Sequence, residues 1–248
     1  MIQKECKYWI PGHSIDCVVL GFENNILKVL LLKMRHSEKW SLPGGFIKKK
    51  EDLDAAALRA LSDRTGLKSI YLSQFHTFGA YERRGKSEVD RLMHEIGQLN
   101  KTVAQWLSNR FLTTGYFAFA DVQKARPVPD FISEKAEWVA IDELPTLIFD
   151  HLEIINKALQ HIKLKLNYLP IGDALLPPKF TMAMLQKLYE TILGRALDRA
   201  NFQKKMLKLG IFDRLEKLKT GAANKAPYLY SFHRKKYERV LKEGIGYL

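Results

Sequence analysis

Residues 44 to 67, GGFIKKKEDLDAAALRALSDRTGL, constrain the fold more than any other stretch of the chain. A glycine pair opens it, directly after Trp40-Ser41-Leu42-Pro43. Leu53, Ala57, Leu58 and Leu61 then form one apolar stripe at helical spacing over residues 52 to 65, and Gly66 is placed to end that helix. On such a helix residues 60, 63 and 64 share one face, at i, i+3 and i+4. Ala60, Asp63 and Arg64 occupy that face: a methyl, one short carboxylate and a guanidinium.

The flanking sequence reads as a mixed α+β domain. SIDCVVLGF and ILKVLLLKM are strand-like and are joined by a turn at Glu23-Asn24-Asn25. SIYLSQFHTFG, FLTTGYFAFADV and EWVAIDELP are further strands, and IFDHLEIINKALQHIKLKL is an amphipathic helix. VDRLMHEIGQLNKTVAQWLSN has mixed helical periodicity. Three prolines and a glycine in NYLPIGDALLPPK mark a domain boundary, so residues 1–166 are expected as one domain, 167–178 as a linker and 179–248 as a second domain.

The second domain reads as helix, turn, helix and hairpin, which suits a winged helix. TMAMLQKLYETIL is a helix with Thr181 as its N-cap; Asp198 caps RANFQKKMLKLG, which ends at Gly210. FDRLEKLKTG and APYLYSF are the strands of the hairpin. On the second helix Phe202, Met206 and Leu209 are expected to face the core. Asn201, Lys204, Lys205 and Lys208 form another stripe, with Arg199 at its start. Lys217, Lys219 and Lys225 lie in or beside the hairpin loop, and Arg234 follows the last strand. The chain carries a net charge of +13, and from Lys179 onward 16 Lys and Arg face 6 Asp and Glu. That asymmetry points to a polyanion, and the pattern to duplex DNA. The bland alternative is a solvated basic face. Lysine stripes address phosphates, so they argue affinity more than base specificity.

The spacing of residues 45 to 67 resembles the Nudix box: glycine, five residues, glutamate, seven residues, then Arg-Glu-apolar-any-Glu-Glu-any-Gly-apolar. Gly45, Glu51, Arg59, Leu61, Gly66 and Leu67 match, and Ala60, Asp63 and Arg64 depart from it. Trp138 with Asp142-Glu143-Leu144-Pro145, and Phe149-Asp150-His151, resemble the late strand and helix start of ADP-ribose-type members. With a winged helix behind it, the chain resembles the Nudix-related transcriptional regulators. Ile148-Phe149-Asp150-His151, Leu175-Leu176-Pro177 and Leu229-Tyr230-Ser231-Phe232 look most like the arabinose-responsive branch. The departure is an insertion at residues 86–109.

The resemblance implies an α/β/α Nudix sandwich with a mixed sheet followed by a DNA-binding winged helix. It implies a homodimeric repressor on a palindromic operator, sensing a pentose such as L-arabinose or ADP-ribose, with no hydrolysis, cofactor or bound metal. The effector would lie near the glycine pair, among Lys33, Trp40, Gly44, Gly45, Phe78, Glu82, Arg110, Thr114, Asp150 and His151. Each has a structural alternative: Trp40 as core, the glycines as a turn, Asp150 as a helix cap, His151 as a packing residue. Two other functions compete. A hydrolase would have to rebuild a metal site from Glu51, Asp63 and Glu82. An RNA-binding or scaffold protein would need only the basic domain, but aromatic-rich RNA platform motifs are missing.

No apolar run is long enough to span a bilayer, and MIQKECKYWIPG lacks a signal-peptide core, so a cytoplasmic protein with no membrane partner is expected. Cys6 and Cys17 are then two reduced thiols.

Overall fold

The computed structural model describes residues 9–67, 71–83, 90, 101–130, 132–166, 170–218 and 226–244. The chain divides into two compact units, residues 1–21 with 28–158 and residues 22–27 with 159–248. Among the described residues no helix is long and apolar enough to cross a membrane.

The first unit is built on a seven-stranded mixed sheet. Its strands are β1 (Trp9–Glu23), β2 (Ile26–Met34), β3 (Trp40–Ser41), β4 (Gly44–Lys48), β5 (Tyr71–Phe78), β6 (Leu112–Phe119) and β7 (Ser133–Ala140). The order is β3-β2-β1-β6-β5, with β4 paired to β1 and β7 to β2. The β1–β6 pair is parallel, whereas β4 and β7 run antiparallel to their partners. Asn24 and Asn25, both at positive φ, make the two-residue turn between β1 and β2, as the sequence suggests. Alternate residues of the central strands bury on opposite faces. Ile15, Cys17, Val19, Leu30, Tyr116 and Ala118 share one core cluster with Ala56, Ala57 and Leu61 of helix α1 (Leu53–Thr65). The opposite parity, Val18, Leu20, Val29, Leu31, Phe117 and Phe119, is equally buried. Cys17 is a free buried thiol, pushed up in pKa by desolvation and by Asp16, while Cys6 lies outside the described residues.

Helix α1 spans the expected residues, and Gly66 ends it in the left-handed region with its N–H on the Ser62 carbonyl. The stripe needs one correction. Leu58 is 44% exposed, and the buried set is Ala56, Ala57, Ala60, Leu61 and Thr65. A stripe at i, i+3, i+4 and i+7 from Leu53 passes through residues 56, 57 and 60 and leaves 58 at its edge. Ala56 and Ala60 join the expected Ala57 on the buried face, and their small side chains let the helix lie close to the sheet.

Of the expected insertion, helix α2 (Lys101–Leu107) is described, and most of residues 86–100 lies outside the described set. Its Trp106 stands edge-on to Phe46 at 4.5 Å and to Phe111 at 5.0 Å. Helix α3 (His151–Lys165) buries Ile154, Ile155, Ala158 and Ile162.

The second unit contains β8 (Phe180–Thr181), α4 (Met182–Leu193), α5 (Arg199–Lys208), β9 (Phe212–Lys217), β10 (Tyr228–Phe232) and α6 (Arg234–Glu243). Its sheet has the order β8-β10-β9. Thr181 Oγ1 accepts the Met184 N–H at 3.2 Å and Asp198 Oδ1 the Asn201 N–H at 2.8 Å, so both expected N-caps are formed. Strand β8 and helix α6 are additions to the sequence reading. The core is aromatic, with Phe180, Phe232 and Tyr237 in successive ring contact. Residues 170–178 of the expected linker are part of this unit, with Pro170, Ile171, Gly172, Leu175 and Leu176 buried. The Ile171 N–H donates to the Tyr189 hydroxyl, and the Tyr237 hydroxyl donates to the Pro170 carbonyl. The prolines thus mark packed turns. Residues 167–169 lie outside the described set.

Candidate functional site

The frame of α1 is held by one ion pair. Arg59 donates from Nε to Glu51 Oε1 at 2.7 Å, from an Nη to Glu51 Oε2 at 2.8 Å, and from the same Nη to the Phe46 carbonyl at 2.9 Å. The Lys48 N–H adds a bond to Glu51. Arg59, above all, holds the Glu51 carboxyl below its usual range. Glu51 therefore ties the loop after β4 to α1. Asp63 is exposed, Ala60 is buried, and Arg64 turns away to donate to the Pro129 carbonyl at 3.0 Å.

The glycine pair starts β4. Gly44 lies opposite Asp16 and Gly45 opposite Ile15. A Cβ on Gly44 would clash with the Ile15 carbonyl oxygen and come within 2.9 Å of Asp16 Oδ1. Gly44 thus permits backbone approach over a buried carboxylate. Gly45 would place a Cβ in ordinary contact with Ala60.

Asp16 belongs to a charged cluster that the sequence reading only half identified. Arg83 donates from Nε and Nη2 to the two carboxylate oxygens of Asp150, both at 2.8 Å. The same guanidinium is 3.7 Å from Asp16 and gives a longer bond to the Phe111 carbonyl. His151 Nδ1 accepts the Leu42 N–H at 2.9 Å, which leaves Nε2 to carry the proton of a neutral ring, 3.7 Å from Asp16 Oδ1. The cluster is buried, as charged groups can be when paired. Phe149, at φ +48°, makes the tight turn before α3 that presents Asp150 and His151. The Trp40 carbonyl accepts the Ile148 N–H, so the loop before the glycine pair and the start of α3 are stitched together. Asp16 and Arg83 escaped the sequence reading, although an aspartate inside the apolar run SIDCVV was a visible signal.

The other expected effector residues have the following settings, with Thr114 paired to Ile15, the strand neighbour of Gly45. Lys33 forms ion pairs with Glu134 and Glu38 at 3.3 and 3.6 Å. Phe78 is buried against Phe75 and His76. Thr114 is buried, with Oγ1 2.8 Å from His13 Nε2. Burial holds the His13 imidazole below its usual pKa. Trp40 is half-buried and Glu82 exposed. Arg110 is exposed and donates to the Gly79 carbonyl at 2.9 Å.

In the winged helix the basic stripe faces solvent. Arg199, Asn201, Lys204, Lys205 and Lys208 are all exposed, whereas Phe202 and Met206 are buried and Leu209 is half-buried. The turn before α5 is fixed by Glu190, which accepts from the Leu197 N–H and from Gln186, while Gln186 donates to the Leu197 carbonyl. Lys217 is exposed, and it shares the Tyr228 ring with Arg214, whose guanidinium lies 3.4 Å from the ring centroid. A cleft of about 150 Å³ between helix and strands is lined by Thr181, Gln186, Arg199, Gln203 and Tyr228 among others. Arg234 opens α6 and pairs with Glu238 at 2.9 Å. Arg234, Lys235 and Lys236 crowd the first turn, the helix end whose dipole disfavours cations. Lys219 and Lys225 lie outside the described residues.

Residues 11–160 match the profile of the NUDIX domain, and residues 172–232 match that of the NrtR DNA-binding winged helix domain. The chain is 29% identical over 242 residues to the ADPR responsive transcriptional repressor NtrR of Acinetobacter baylyi, covering 95% of this chain and 87% of the relative. Crystal structures of Shewanella oneidensis NrtR share the fold. The protein alone superposes with a TM-score of 0.70 at 23% identity, covering 91% of this chain and 96% of that one. The complex with a 27mer DNA superposes at 0.69 and 22% identity, covering 91% and 95%.

Proposed function

The chain belongs to the Nudix family, with a regulator-type winged helix behind its Nudix domain, and from that premise we propose that it is a transcriptional repressor whose Nudix unit senses ADP-ribose. The observation that carries the reading is α5, where three lysines, an arginine and an asparagine face solvent on a helix fixed by a capped, hydrogen-bonded turn. The A. baylyi relative, named as ADPR-responsive, supports ADP-ribose over a pentose. The pentose rests only on the short motifs shared with the arabinose-responsive branch. In this reading two copies related by a two-fold would read a palindromic operator, and the repressor would work in the cytoplasm.

The box residues do not fit a magnesium ion. Glu51 is engaged by Arg59 through both oxygens, Ala60 has no donor atom, and Arg64 is itself a cation. In this reading the box holds the fold around a pocket that binds its ligand without cleaving it. A sensor that destroyed its effector would report poorly. The test is a thermal-shift panel of the full chain with ADP-ribose, L-arabinose and NAD, with and without magnesium. A midpoint raised by ADP-ribose independently of magnesium is expected by mass action. A shift with L-arabinose alone transfers the sensor to pentoses, and an ADP-ribose shift that depends on magnesium reopens the hydrolase reading.

A further inference from the structure

Among the described residues Tyr81 is the most exposed large hydrophobic side chain, at 81%, against 63% for the next, Leu164. A loose surface tyrosine would need no explanation, but this one sits on a fastened turn. The Arg83 N–H closes the turn onto the Ala80 carbonyl, and the Arg83 side chain is pinned beneath it by Asp150 and Asp16. On the near side Arg110, bonded to the Gly79 carbonyl, holds its guanidinium 5.7 Å from the centre of the Tyr81 ring. The next residue, Phe111, packs on Phe46, which follows Gly45. An exposed aromatic and an exposed cation are therefore held side by side, with the cation's chain neighbour packed on the strand that opens the box.

We infer that Tyr81 and Arg110 form the subsite for the nucleobase end of a nucleotide effector. This rests on the ADP-ribose reading and deepens it. One side of the tyrosine lies toward the guanidinium; the remainder is open to a planar base. Stacking on a pre-positioned ring costs little ordering, and the arginine offers a forked donor to the anionic linkage beside the base. A free pentose has neither feature, so the pair discriminates a nucleotide from a sugar.

The experiment is calorimetric titration of the full chain and its Tyr81→Ala, Tyr81→Phe and Arg110→Gln variants with ADP-ribose. Because both side chains are exposed, thermal midpoints without ligand should stay at the wild-type value. Tyr81→Ala is expected to weaken ADP-ribose roughly tenfold or more, as for lost base stacking, and Tyr81→Phe by no more than about twofold. Arg110→Gln should weaken it and flatten its salt dependence. Unchanged affinity in Tyr81→Ala overturns the subsite while leaving the ADP-ribose reading in place. A Tyr81→Phe variant as weak as Tyr81→Ala overturns stacking in favour of the hydroxyl. No binding of ADP-ribose to the wild type overturns the ADP-ribose reading itself, and the subsite with it.

Discussion

Arg83 and Asp150 meet through two parallel hydrogen bonds of 2.8 Å, in a buried setting where the guanidinium also faces Asp16. Removing the cation strands two carboxylates away from water. Arg83→Ala is expected to cost about 3–5 kcal/mol. For a chain of this size that lowers the thermal midpoint by roughly ten degrees, which calorimetry or circular dichroism reads directly. Arg83→Lys keeps the charge but loses the fork and should fall between.

The Glu51–Arg59 pair gives the fold an acid sensitivity. Because the folded-state pKa of Glu51 is depressed, chiefly by Arg59, its contribution is present above the unfolded carboxylate value and is lost as pH falls through the folded one. Denaturant midpoints of the wild type should decline below about pH 4.3, and Glu51→Gln should be less stable at pH 7 with a flatter decline. Arg59→Ala should cost about 1.5–3 kcal/mol at pH 7, the usual worth of hydrogen bonds to a charged group. Equal acid profiles for wild type and Glu51→Gln would contradict this assignment.

The α1 stripe separates two leucines that look alike in sequence. Leu61 is fully buried and Leu58 is 44% exposed. Leu61→Ala should cost about 2–5 kcal/mol. Leu58→Gln should stay within about 0.5 kcal/mol. Urea unfolding of the two variants measures the difference.

Most of the fold was readable because its signals are local. The Asn24-Asn25 turn, the Gly66 cap, and the Thr181 and Asp198 caps depend on a few adjacent residues, and all formed as expected. What joined distant segments was not readable. Arg83 finds Asp150 across 67 positions, and nothing near either residue names the other. The proline-rich stretch read as a linker because turn residues carry no record of burial; two tyrosines from other elements pack it. Tyr81 was overlooked because exposure, the property that singles it out, is not written in a single sequence.

On the winged helix, Lys204, Lys205 and Lys208 are exposed and belong to the same stripe as Asn201. Changing all three to Ala should weaken binding of any duplex and reduce the slope of log affinity against log salt by about 2–3, since each phosphate contact contributes about 0.9. The fold should be unaffected. Asn201→Ala should instead lower the preference for the cognate duplex over random sequence. Fluorescence anisotropy across a salt series separates the two effects.

The central claim, that one chain couples a nucleotide-sensing Nudix unit to DNA binding, is tested most directly by anisotropy on a duplex selected from randomised DNA by the full chain. ADP-ribose is titrated in without magnesium, and the ligand is recovered afterwards by chromatography. The account predicts a palindromic duplex, a change in DNA affinity of about fivefold or more on adding ADP-ribose, and ligand recovered intact. DNA affinity that ADP-ribose leaves unchanged while it binds the protein would contradict the account, because two sites without coupling do not make a sensor.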